Sequence, residues 1–79
     1  MSCDNEHEWH ETSKELPGIK ARHKGMAFSY AVEGEDGARY QFGYGVTVRC
    51  YAYPTGLPCP SPEKWRYIDS RLSEKAIKV

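Results

Sequence analysis

Two stretches decide how this sequence reads: Met26-Ala27-Phe28-Ser29-Tyr30-Ala31-Val32-Glu33, and Tyr40-Gln41-Phe42-Gly43-Tyr44-Gly45-Val46-Thr47-Val48-Arg49-Cys50-Tyr51-Ala52. In the first, Met26, Phe28, Tyr30 and Val32 are apolar or aromatic, and the residues between them are small or polar. That period of two is the signature of a half-buried strand. In the second, Tyr40, Phe42, Tyr44, Val46, Val48, Cys50 and Ala52 keep the same even parity throughout. Gly34-Glu35-Asp36-Gly37 joins the two stretches with turn chemistry at both ends. A straight strand over 38–53 would span about 50 Å at ~3.3 Å per residue, about twice its neighbour. The chain must therefore bend or turn, and Gly43-Tyr44-Gly45 is where glycine permits it. The pattern predicts an antiparallel sheet of about three strands over residues 26–53, with an even-numbered face turned to the core.

C-terminal to this sheet, Pro54 to Pro60 is a stiff connector. Ser61-Pro62-Glu63 has the chemistry of a helix start: a capping hydroxyl, a proline at the first position and an acid at the positive dipole end. Trp65, Ile68, Leu72 and Ala76 then recur at steps of three and four, which predicts an amphipathic helix over 62–76 laid across the even face. N-terminal to the sheet, residues 1–17 hold Asp4, Glu6, Glu8, Glu11 and Glu15 against a single Lys14. They read as a flexible acidic arm, ended by Pro17-Gly18. Lys20, Arg22, His23 and Lys24 then turn the chain basic, with Ile19 and Ala21 between them as for a short edge strand. The expected organisation is an arm over 1–17 and one α+β domain over 18–79: a small antiparallel sheet packed by one C-terminal helix.

The chain has 79 residues, 39% hydrophobic and 28% charged, with 11 basic and 11 acidic side chains. That supports one thin core, and homodimerisation would be one way to strengthen it. Zero net charge disfavours a generally basic nucleic-acid binder and an acidic DNA mimic alike. No apolar run of about 18 residues suggests a membrane span, and no charged-then-apolar leader opens the sequence. Three cysteines, Cys3, Cys50 and Cys59, are an odd number, which with no leader points to a reducing, cytoplasmic setting. Eight residues separate Cys50 from Cys59, a spacing that a bridge can close, although this setting favours free thiols.

Chemistry finds little purchase. Cys3, His7 and His10 stand four and three residues apart, so on a helix they would share a face and, with Cys50 or Cys59, offer zinc a tetrahedral set. The paired Cys-x-x-Cys knuckle that normally accompanies such a site is missing, so neither metal nor cofactor is expected. No phosphate loop, Gly-x-Ser-x-Gly or His-Glu-x-x-His occurs. All three histidines lie in the first 23 residues, away from the predicted core, so no enzyme is expected.

Binding is better supported. Odd-numbered residues of the second stretch project away from the predicted helix, which puts Arg49, Tyr51 and Tyr53 in an exposed stripe with Arg39 nearby. Tyrosine and arginine are the residue types that dominate protein–protein hot spots, so another protein is the expected partner. A small nucleic-acid-binding regulator using the same sheet face is the alternative, and a zinc-stabilised module comes third. Lys24-Gly25-Met26-Ala27-Phe28 resembles part of the RNP1 motif of RNA-recognition domains, but Ser29 departs from it. In size and style the chain looks like the small accessory proteins of phages and mobile elements, anti-CRISPR proteins among them. That resemblance implies an inhibitor or accessory protein that acts on a host protein by direct contact.

Overall fold

The computed structural model describes residues 8–79. Its strands are β1 (His10–Glu11), β2 (Glu15–Leu16), β3 (Ile19–His23), β4 (Met26–Ser29), β5 (Val32–Gly34), β6 (Arg39–Tyr44), β7 (Val48–Ala52), β8 (Lys64–Tyr67) and β9 (Ile77–Lys78). All the pairings are antiparallel. They build one curled sheet in the order β1-β8-β5-β6-β4-β3, with β7 on the other edge of β6, and a separate ribbon of β2 with β9.

This corrects the predicted architecture. Among the described residues the structure is mostly β, 47% strand against 8% helical with no helix of seven residues, rather than three strands packed by a C-terminal helix. Where the helix was expected, Lys64–Tyr67 is a strand that buries Trp65 and Tyr67 and leaves Lys64 exposed. The burial period there is two. The residue at the next helical step, Ile68, is 39% exposed. Helical turns begin only after Asp69, whose carboxylate accepts from the Arg71 backbone N–H, and the resulting 3-10 helix covers just Ser70–Lys75. Leu72 and Ala76 still reach the core, but from a different element than Trp65.

The even-face expectation fails halfway, for a local reason. Phe28 pairs with Gly43 and Val32 with Tyr40. Between those pairs the first strand advances four residues and β6 only three, so one extra residue bulges at Tyr30–Ala31. The bulge flips the parity. Ala27 and Ser29 point inward before it and Val32 after it, while Phe28 is left on the outer side with Gly43. The Phe42 N–H donates to the Ser29 hydroxyl at 2.9 Å, and the Gln41 side-chain amide donates to the Ser29 carbonyl at 2.9 Å. The Tyr30 N–H turns out of the β6 ladder and donates to the Gly18 carbonyl at 3.0 Å. The split lets the sheet fork, with β3 beside β4 and β8 beside β5.

The core is Val32, Phe42, Cys50, Trp65 and Tyr67, with Leu16, Tyr40, Tyr44, Leu72 and Ala76 packed around it. The expected acidic arm is corrected as well, within its described residues. β1 pairs with β8 and β2 with β9, and Pro17 is fully buried. Three core aromatics hold the segment by polar tips. The Trp65 indole N–H donates to the Glu15 carbonyl at 2.9 Å, and the Tyr67 hydroxyl accepts from the Gly18 N–H at 2.7 Å. The Tyr44 hydroxyl donates to the Pro17 carbonyl. Gly18 lies so close to the Lys75 backbone carbonyl that any Cβ would clash with it, which ties the segment to the 3-10 helix.

Candidate binding face

The outer face of the sheet is defined by register. β6 and β7 pair Gly43 with Arg49 and Gln41 with Tyr51, and the Tyr53 N–H donates to the Arg39 carbonyl at 3.1 Å. Arg39, Gln41 and Gly43 therefore share one face with Tyr53, Tyr51 and Arg49. All four residues expected from the sequence come to this face. Arg39 and Arg49 are exposed, Tyr53 is 38% exposed and Tyr51 is half-buried.

Tyr51 is half-buried because of Gly43. A Cβ built on Gly43 would meet the Tyr51 ring at 2.9 Å, the Met26 sulfur at 3.1 Å and the Phe28 ring at 3.7 Å. The missing side chain thus leaves a seat into which three apolar groups from β4 and β7 converge. Sequence reasoning assigned Met26 and Phe28 to the core and missed them here, because the bulge that turns them outward leaves no mark in the alternation.

Farther across the sheet the same face carries a charged row. Arg66 pairs with Glu33, and Glu33 with Arg39. The Arg66 guanidinium donates to the Glu33 carboxylate at 3.1 Å and lies 4.6 Å over the Trp9 ring. The row therefore runs Trp9, Arg66, Glu33, Arg39, Tyr53 from one side of the sheet to the other. Arg66 is engaged on both sides. Arg39 and Arg49 have no ion pair among the described residues. Trp9 and Arg66 were also missed, because the first was read into an arm and the second into a helix.

Charge is segregated although the chain is neutral overall. Residues 16–32 and 37–62 contain no Asp or Glu, yet they hold Lys20, Arg22, Lys24, Arg39 and Arg49. β3, β4, β6 and β7 lie wholly within these stretches. Every residue of β3 is exposed. That wing of the sheet is cationic, whereas Glu11, Glu33, Glu35, Asp36 and Glu63 gather around β1, β5 and β8.

At the β5–β6 turn, the Asp36 carboxylate accepts from the Ala38 N–H at 3.0 Å and from the Tyr40 hydroxyl at 2.9 Å. These bonds hold Asp36 below its ordinary range. The hydrogen bond to Asp36, then burial, pushes Tyr40 up to about 12. Burial likewise raises Tyr44 and Tyr67. All three phenols therefore stay neutral donors or acceptors at physiological pH, as their structural roles require.

Of the zinc set, Cys3 and His7 lie outside the described residues. His10 is buried, its ring stacked 4.5 Å from that of Trp65 and its Nδ1 3.0 Å from the Glu15 carboxylate. Among the described residues no three His, Cys, Asp or Glu side chains gather closely enough to hold a metal ion. On the inner side of β7, an open pocket of about 280 Å³ has Leu16, Phe42, Val48, Cys50 and Val79 in its lining, and no carboxylate or imidazole side chain. No helix among the described residues is long and apolar enough to cross a membrane. Comparison with known protein families, curated proteins and solved structures finds no match to this chain.

Proposed function

We propose that this chain is a non-catalytic binding module, of the inhibitor or accessory kind, that docks another protein on the outer face of β4, β6 and β7. The observation that carries the reading is the cluster over Gly43, where Tyr51, Met26 and Phe28 converge between Arg39 and Arg49. An apolar centre with aromatic and arginine residues at its edge is the anatomy of a protein hot spot. The charge pattern selects the partner's chemistry: an apolar side chain surrounded by carboxylates, to meet a wing that has none of its own.

The test is capture from the native host with the wild-type chain, then purification of the captured protein and titration with variants. Tyr51→Ala and Arg49→Ala are each expected to weaken binding about tenfold while the fold is retained. Unchanged affinity in both would remove the face from the interface.

Single-stranded nucleic acid is a second reading, favoured by the carboxylate-free wing, since cations beside stacking rings are what such ligands use. Salt separates the two. A polyanion bound through several cations loses affinity steeply as salt rises, whereas a contact centred on Tyr51, Met26 and Phe28, with charge pairs only at its rim, weakens far less. Titration of a mixed-sequence single-stranded oligonucleotide at low and moderate salt decides between them.

A further inference from the structure

We propose that Cys50 and Cys59 are a modification site: a thiol pair that a small disulfide oxidant, such as oxidised glutathione, closes into an intramolecular disulfide. After β7 the chain turns at Pro54–Gly56 and runs back along the outer edge of the same strand. The Ala52 N–H donates to the Leu57 carbonyl at 2.8 Å and the Cys59 N–H to the Cys50 carbonyl at 3.1 Å. Tyr51 and Pro58 form the antiparallel bridge between these bonds, which makes Cys50 and Cys59 directly opposed residues. Opposed residues of a hydrogen-bonded antiparallel pair stand about 5.5 Å apart at Cα, within the ~4.4–6.8 Å that a disulfide spans. The two sulfurs are already in contact at 3.8 Å. Closure thus needs side-chain rotation and no separation of strands.

Exposure sets the order of steps. Cys59 is half-buried and within reach of solvent; Cys50 is buried. The Cys59 thiolate attacks one sulfur of oxidised glutathione, the S–S bond breaks, and one glutathione thiolate leaves. Cys50 then gives up its proton to water and attacks the Cys59 sulfur, displacing the second glutathione. Two protein thiols and one oxidised glutathione become one protein disulfide and two reduced glutathiones, with two electrons passing from protein to glutathione. Burial, then the hydrogen bond with Cys59, pushes the Cys50 thiol up to about 12, so Cys50 serves as the resolving partner rather than the attacking one. The product clamps the 54–60 loop to the edge of β7, beside Tyr51 and Tyr53.

The experiment uses the full chain carrying Cys3→Ser, equilibrated in glutathione buffers, alkylated, and weighed intact. The expected result is a two-electron transition to a species two hydrogens lighter with neither thiol alkylatable. In Cys50→Ser the reaction should stop at one glutathione adduct on Cys59. The native chain should form the disulfide at least about tenfold more favourably than the same chain in urea, because the fold supplies the proximity. A stable glutathione adduct on the Cys50-containing protein would overturn the proposal. So would equal disulfide formation in folded and unfolded chains, or two thiols that stay alkylatable in fully oxidised buffer.

Discussion

Ser29 is a small polar residue with no exposed surface, and the fork of the sheet depends on it. Its hydroxyl accepts from the Phe42 N–H and donates to the Tyr30 carbonyl at 2.8 Å. Both partners belong to the region where the bulge interrupts the β4–β6 ladder, so a side chain replaces the missing backbone partner. Ser29→Ala leaves a buried N–H unsatisfied, which costs about 1–3 kcal/mol. Urea denaturation should show the unfolding free energy falling by that amount, read as a lower midpoint with an unchanged slope. A loss below about 0.5 kcal/mol would mean that the ladder closes without the hydroxyl. Nothing in the sequence distinguishes this serine from the solvent-facing polar residue that an alternating strand ordinarily carries. Phe42 and Cys50 were legible as core, and Arg49, Tyr51 and Tyr53 as outward, because β6 and β7 keep one register throughout. Phe28 was not legible, since one inserted residue reverses a strand's faces.

At the scale of elements, the turn between β5 and β6 makes a prediction about acid. Asp36 caps it, and the Ala38 N–H, then the Tyr40 hydroxyl, hold its carboxyl below the ordinary value of 3.8. The unfolded chain therefore takes up a proton at higher pH than the folded one. The stabilisation is complete above the unfolded value and is lost as pH falls through the folded one. Asp36→Asn removes the titration while keeping an acceptor. Wild type is expected to be more stable than this variant at neutral pH, and the two should converge as pH drops below about 4; parallel curves in pH-dependent thermal melts would overturn this. Element identity was least legible in β8. Trp65, Ile68, Leu72 and Ala76 satisfy helical spacing, and a four-residue strand has only two inward side chains to signal a period of two. What selects the strand is tertiary: β8 has β5 on one edge and β1 on the other, and the indole and phenol of Trp65 and Tyr67 find their partners at Glu15 and Gly18 only from that position. The paired state of β1 and β2 was equally hidden, because each is only two residues long, too short to show a period, and His10 and Leu16, which reach the core, stand among acidic neighbours.

For the molecule as a whole, the neutral total charge conceals a cationic wing, and the binding reading rests on that wing together with the seat over Gly43. Composition averages over a surface; the register of the strands decides what stands beside what.

The ribbon of β2 with β9 has a further consequence, in time rather than in space. Glu15 pairs with Lys78 and Leu16 with Ile77, so nearly the whole chain lies between partners. The β3–β4 and β6–β7 ladders, by contrast, close through short local turns. Loop-closure entropy favours the local ladders first, and contacts distant in sequence form after them. The clasp is therefore a late event in folding and an early one in unfolding. Leu16→Ala should speed unfolding several-fold while changing the folding rate by less than roughly twofold, because contacts absent from the transition state act on the unfolding limb. Stopped-flow chevrons read both limbs, and slower folding in this variant would place the clasp in the nucleus instead. A clasp that closes last also opens first, so the lifetime of the native state is set where β2 meets β9.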